Sequence, residues 1–356
     1  VTVRGFWRVL TLALFVTVAG CAGSTTPTSS PAANLFDLEP PFAEPTSSSP
    51  TSTGISCGDP RTYQVDYQIA IHSSGLNVDR LLLYVPKPVE WDEQTAVSVQ
   101  VNPANAREGV DPTTGSGMYS WETRGSPRAG QTVTFSIEFT LTAAEIRTVI
   151  YPADVKPYDT GDALYRRYTA PEQYVESTDS KIVGLEKSIA GDEANPLVLA
   201  RKFYDYVIQV ATYRAEDRTD WGALQLLNTG WGQCADYSAL FIALSRAAAI
   251  PARAVVGHWA ESGDKYHVWA EFYLEGYGWV PVDPTVGQGD TAHRDYYFGN
   301  MDNRRVILHK GFNIPLVPAS PDNTVAPFLQ TYYWWYWGTG SGNLTLDLVP
   351  WNVVSV

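Results

Sequence analysis

Between Thr62 and Ile71 the chain reads TYQVDYQIAI, with Tyr63, Val65, Tyr67, Ile69 and Ile71 at every second position. The same alternation returns in VTFSIEFTL, at Val133, Phe135, Ile137, Phe139 and Leu141. Successive side chains of a strand point to opposite faces, so period two marks ribbons with one buried and one wet face. Two more apolar runs, RLLLYVP and GMYSWET, lie between them, set off by Gly, Pro, Asn and Asp. Residues 58–160 are therefore expected to form an antiparallel β-sandwich.

The period then changes. Asn195 followed by Pro196 has the form of a helix start, a side-chain cap and then a pre-set φ. Ala200, Phe203, Val207 and Val210 follow at helical spacing, and a shorter helix is expected around Ile182, Leu185 and Ile189. A third helix is expected from Cys234 to about Ala249, stopped by Pro251. ARAVVGHWA, YHVWAEFYL and GWVPVD then read as strands. Helices first and an antiparallel sheet afterwards make 175–315 an α+β unit. Residues 316–356 form an aromatic-rich β extension containing YYWWYW, Tyr332 to Trp337. Consecutive aromatics on a strand face both ways, which leaves two readings open: a sheet covered on both sides, or one face kept for a ligand.

Ahead of the sandwich the composition is different. Arg4 and Arg8 precede the apolar run Val9–Gly20, which is too short to span a membrane comfortably and ends in small residues. VAGC, Val18 to Cys21, resembles the bacterial lipobox. Residues 1–20 are thus expected to be a lipoprotein signal peptide and Cys21 the lipidated residue, holding the protein to a membrane on the extracytoplasmic side. Residues 21–57 are rich in Ser, Thr and Pro and read as a linker. The 356 residues carry 38 acidic against 25 basic side chains, a net charge of -13. Phosphate binding needs clustered Lys and Arg, so nucleic acid is not an expected partner.

With Cys21 assigned to lipid, Cys57 and Cys234 remain of three cysteines. A bridge between them is chemically open outside the cytoplasm, but Cys57 borders the linker and is expected to be free. Cys234, in GWGQCADYSALF, follows Gly230 and Gly232 and opens a helix. Free N–H groups and the helix dipole favour a thiolate there, and the same N–H groups suit a developing oxyanion. A thiol nucleophile also needs a base, and the base an acceptor that fixes its tautomer. His267 in YHVWAEFYL and Asp283 in GYGWVPVDPT supply both, provided the two strands form a hairpin with an odd-length loop such as Glu275–Tyr277. That register puts Asp283 opposite Trp269 and diagonal to His267; a two-residue loop would turn His267 away. His258 is the rival base, without a partnered acid. Taken singly, each of these residues has an ordinary structural reading.

GWGQCADYSALFIALSRAAAIPARAVVGH followed by YHVWAEFYLEGYGWVPVDPT resembles the bacterial transglutaminase-like superfamily. The resemblance covers about 130 residues, from the Asn195 helix to FGNMDNRRVILHKG. It implies a papain-like core, with a Cys-His-Asp triad on Cys234, His267 and Asp283 that transfers acyl groups through a thioester. It further implies an aromatic or amide donor near the oxyanion, for which Tyr213 and Gln233 are the candidates. The expected function is that of a cysteine peptidase or amidase, or a transglutaminase, acting on peptide or protein substrates. The alternative is a non-catalytic peptide- or glycan-binding module on the same fold. No cofactor is implied, and no metal, since no Cys or His pairs stand at ligand spacing.

Overall fold

The computed structural model describes residues 54–216 and 220–356, together with the backbone of Arg4–Gly5. The expected signal peptide and Cys21, and the linker before Gly54, otherwise lie outside the described residues.

The alternating stretches form the long strands β1 (Gly54–Ser73) and β6 (Thr132–Val149), with β2 (Leu76–Lys87), β3 (Gln94–Asn102), β4 (Arg107–Val110) and β5 (Gly117–Arg124) between them. Tyr63, Val65, Tyr67, Ile69 and Ile71 are buried, and Phe135, Ile137, Phe139 and Leu141 meet them in one core with Leu81, Leu83 and Trp121. Each such side chain contributes roughly 1.5–3 kcal/mol through burial.

The β unit is not confined to 58–160. After a long excursion the chain returns as β13 (Tyr333–Gly340) and β14 (Leu344–Ser355), numbered after the strands of the second unit. β13 pairs antiparallel with β2, and β14 with β1. The sheets run β13-β2-β5-β4, to whose β13 edge Arg4–Gly5 adds, and β14-β1-β6-β3. Tyr332, Trp334 and Tyr336 pack on the sandwich core, while Tyr333 and Trp335 pack on Ile314, Leu316, Ala326 and Leu329. The aromatic run is thus covered on both sides.

The second unit begins with α1 (Ala163–Thr169), α2 (Ser180–Ala190) and α3 (Pro196–Val210). Asn195 caps α3 as expected, its side chain accepting from Leu197 and Val198 N–H. The two-residue strand β7 (Thr212–Tyr213), α4 (Ala223–Thr229) and β8 (Trp231–Gly232) lead into α5 (Cys234–Ala247). α5 is buried on nearly every side, from Ala235 to Arg246. A helix apolar all round belongs inside a core. It packs on a sheet of β9 (Ala252–Trp259), β10 (Tyr266–Leu274), β11 (Gly278–Val282) and, after the short α6 (Pro284–Gly289), β12 (Arg305–Lys310), in the order β11-β10-β9-β12. Val268, Ala270 and Phe272 face the core that α5 fills. Trp269 and Ile307 pack instead with Ile146 of β6 and Met301. Gln94 of β3 reinforces that side by pairing, through its amide, with both the N–H and the C=O of Ile307.

Candidate active site

Hairpin geometry places His267 and Asp283, the candidate base and acid. β10 and β11 pair from Leu274↔Gly278 to Ala270↔Val282, leaving the three-residue loop Glu275–Tyr277. Gly276, at φ +89°, takes the left-handed turn. One step beyond the last pair, Asp283 stands opposite Trp269 and diagonal to His267. His267 Nε2 lies 2.7 Å from Asp283 Oδ2, with both residues buried. Asp283 also caps α6, its Oδ1 accepting the Val286 N–H at 3.0 Å, and Pro284 fixes the first helical φ. The carboxylate is therefore held at both oxygens.

The Cys234 end of the site is built differently. Asp236, buried in the first turn of α5, accepts the Gln233 N–H on Oδ2 and the Gly222 N–H on Oδ1, each at 2.8 Å. A Cβ at Gly232 would sit 2.6 Å from the Asp236 Cβ, so this close approach requires glycine. One turn on, Ser238 donates to the Val268 carbonyl at 3.1 Å, which fastens the head of α5 to β10 beside His267. Cys234 opens the helix and is partly exposed.

Burial opposes the charged form of His267. The charge and hydrogen bond of Asp283, with the nearby Cys234, outweigh it and lift the imidazole to about 9. Among the described residues, Nδ1 has no hydrogen-bond partner. The Cys234 thiol is near enough to influence the ring. Asp283 is subject to the same opposition. Burial pushes its carboxyl up, while His267 and Arg305 together hold it far below the usual carboxylate range.

The remaining candidates sort clearly. Tyr213 flanks the thiol: burial and then the charge of Cys234 push its phenol upward. Gln233 donates through Nε2 to the Glu216 carbonyl at 2.7 Å, so its amide holds the neighbouring segment. His258 is a structural residue. It stacks on Trp351 at 4.0 Å, accepts the Lys265 N–H, and is driven by burial to about 4. Cys57 is exposed, and both it and Cys234 are free thiols.

Two participants escaped the sequence reading. Arg305 Nη1 donates to Asp283 Oδ2 at 2.6 Å, and its Nε and Nη2 both reach Asp302 Oδ2 at 3.2 Å. Trp259 lies against both groups, 4.2 Å from the Arg305 guanidinium and 5.2 Å from the His267 imidazole. The available signal was a cation at the head of the strand RVILHK, which needs a charged partner once that position is buried.

Residues 184–284, which hold Cys234, His267 and Asp283, match the family model of the transglutaminase-like superfamily. This segment is a transglutaminase-like domain. An uncharacterized protein of Haemophilus influenzae is 30% identical over 184 residues, 40% of this chain and 49% of that protein. The uncharacterized protein YebA of Bacillus subtilis is 30% identical over 145 residues, 34% of this chain and 20% of YebA. The chain thus spans about half the length of the first relative and a fifth of the second. A solved structure from Cytophaga hutchinsonii, described as a candidate cysteine protease, superposes with a TM-score of 0.56 at 17% identity. It covers 83% of this chain and 92% of that one, so the shared fold extends well beyond the transglutaminase-like domain.

Proposed function

We propose that the protein is a cysteine peptidase or amidase that cleaves peptide or protein amides through a thioester on Cys234. The observation that carries this reading is the buried His267 Nε2–Asp283 Oδ2 bond beside a partly exposed thiol, with Nδ1 left unbonded. His267 takes the thiol proton at Nδ1. The thiolate adds to the amide carbonyl, and first-turn N–H groups of α5 receive the oxyanion. The tetrahedral adduct then breaks its C–N bond. The amine leaves with the proton from His267, and Cys234 stays acylated. Water, deprotonated by the same nitrogen, hydrolyses the thioester and restores the thiol. An amine acceptor would give transamidation with the same residues, told apart by its product.

Iodoacetamide alkylation followed across pH by intact-mass spectrometry tests the site, with Cys57→Ser as background. Cys234 should alkylate at pH values where an ordinary thiol is mostly protonated, and His267→Ala should return it to the ordinary profile. A parent profile equal to that of free cysteine, unmoved by His267→Ala, would leave a peptide- or glycan-binding module as the better reading. A peptide library read by mass spectrometry then identifies the acylating sequences.

We further propose a cell-envelope location through lipid on Cys21, supported by the VAGC motif. A palmitate analogue should label the parent and not Cys21→Ala; equal labelling of both would remove the anchor.

A further inference from the structure

Asp283 Oδ2 receives two donors, His267 Nε2 at 2.7 Å and Arg305 Nη1 at 2.6 Å. A carboxylate oxygen has two lone-pair directions, and both are taken. Arg305 therefore leaves the imidazole one direction of approach, and in that arrangement Nε2 carries the hydrogen. Nδ1 is then the atom that gains and loses the proton. Arg305 is fixed in turn by Asp302, through two bonds of 3.2 Å, and by the faces of Trp259 and Trp269 at 4.2 and 5.1 Å. Arg305, Asp283 and His267 are all buried, so these charges act on one another with little screening by water.

We propose that Arg305 is a positioning residue of this site: acting through Asp283, it orients His267 and sets the basicity of Nδ1, with Asp302 as its counterweight. The sign follows from charge. The guanidinium opposes a second positive charge on His267, and Asp302 offsets part of that opposition. With His267 protonated, Arg305 and His267 balance Asp283 and Asp302, and the buried group is neutral. Other ionisable groups also face this cluster. Cys234 stands at the head of α5, Tyr204 lies on α3 within reach of the Asp283 charge, and Tyr297 feels Asp302, Arg305, Asp283 and Asp290. Arg305 lies beyond the matched segment 184–284, so the site is completed by chain outside that segment.

The test is an NMR titration of His267 in the full chain. Its ring signal is identified as the one missing from His267→Ala. Arg305→Gln keeps a donor toward Asp283 but removes the charge, and it should raise the pH at which His267 loses its proton by about one unit, a tenfold change in protonation. Arg305→Lys, which keeps the charge, should titrate near the parent. Asp302→Asn leaves Arg305 uncompensated and should lower the value. A merely structural role would reduce thermal stability in all three variants without this opposite-signed pair of movements. An unchanged or lowered value in Arg305→Gln overturns the assignment, and so does a raised value in Asp302→Asn. If Arg305→Gln does not fold, Asp302→Asn and Arg305→Lys still decide it. The basicity matters to catalysis only under the acyl-transfer reading. Repeating the titration in Cys234→Ala separates the two, since that variant has no thiol to acylate.

Discussion

At the scale of single residues, the site is a set of compensated charges. The pKa of His267, about 9, lies above its ordinary 6.5 because Asp283 and Cys234 overcome the cost of burial. A raised pKa stabilises the fold fully below the unfolded value, and that stability is lost as pH rises through the folded one. Urea denaturation of the parent should therefore show stability falling between about pH 6.5 and 9. The fall should be absent from His267→Ala, whose stability at low pH should be the smaller of the two. A parent curve as flat as that of His267→Ala across this window would show that the imidazole is neutral in the folded protein.

Among elements, the β10/β11 hairpin and the head of α5 do the positioning. Side chains alternate along a strand, so changing the Glu275–Tyr277 loop by one residue can turn Asp283 to the other face. Deleting Gly276 should bring the His267 titration down toward an ordinary imidazole and remove the low-pH alkylation of Cys234. Retention of both would mean that the strand pairing re-forms around the shorter loop. At the other element, Gly232→Ala places a methyl group 2.6 Å from the Asp236 Cβ. Overpacking of this kind costs about 1–3 kcal/mol, read as a lower thermal midpoint. It should also slow Cys234 alkylation, because Asp236 holds the Gln233 N–H in front of the thiol.

Across the whole molecule, the two ends of the described chain form one β unit, which backs the β9–β12 sheet. Trp351 of β14 lies at this join. It stacks on Tyr67 at 5.7 Å, meets Phe139 edge-on at 5.3 Å and covers His258 at 4.0 Å. Trp351→Ala should cost about 3–5 kcal/mol in unfolding free energy. It should also raise His258 from about 4 toward an ordinary imidazole, because burial causes the depression. A stable variant with His258 unmoved would place the join elsewhere. Gln330 makes a second tie between the units. Its amide donates to the carbonyls of Gly257 and His267, so the segment leading into β13 touches the backbone of His267.

Local pattern was enough for much of this. Alternation gave the strands around Tyr63 and Phe135, because burial on one face follows directly from period two. Asn195–Pro196 marked the start of α3, because capping is a contact between near neighbours. The spacing of His267 and Asp283 led to the odd-length loop, because a hairpin register is fixed by its turn. Contacts between distant segments left no such trace. Nothing near Arg305 in sequence announces Asp283, 22 positions away, and nothing near Trp351 announces His258. The return of β13 and β14 to β2 and β1 was equally unreadable, since an edge strand carries the same alternation whichever neighbour it joins. Asp236 reads as an ordinary acidic residue of a first helical turn until Gly222 is brought onto its second oxygen. Local pattern alone marked the residues able to do the chemistry; packing between distant segments selects which of their charges are compensated, because a buried charge takes its partner from whatever the fold places beside it.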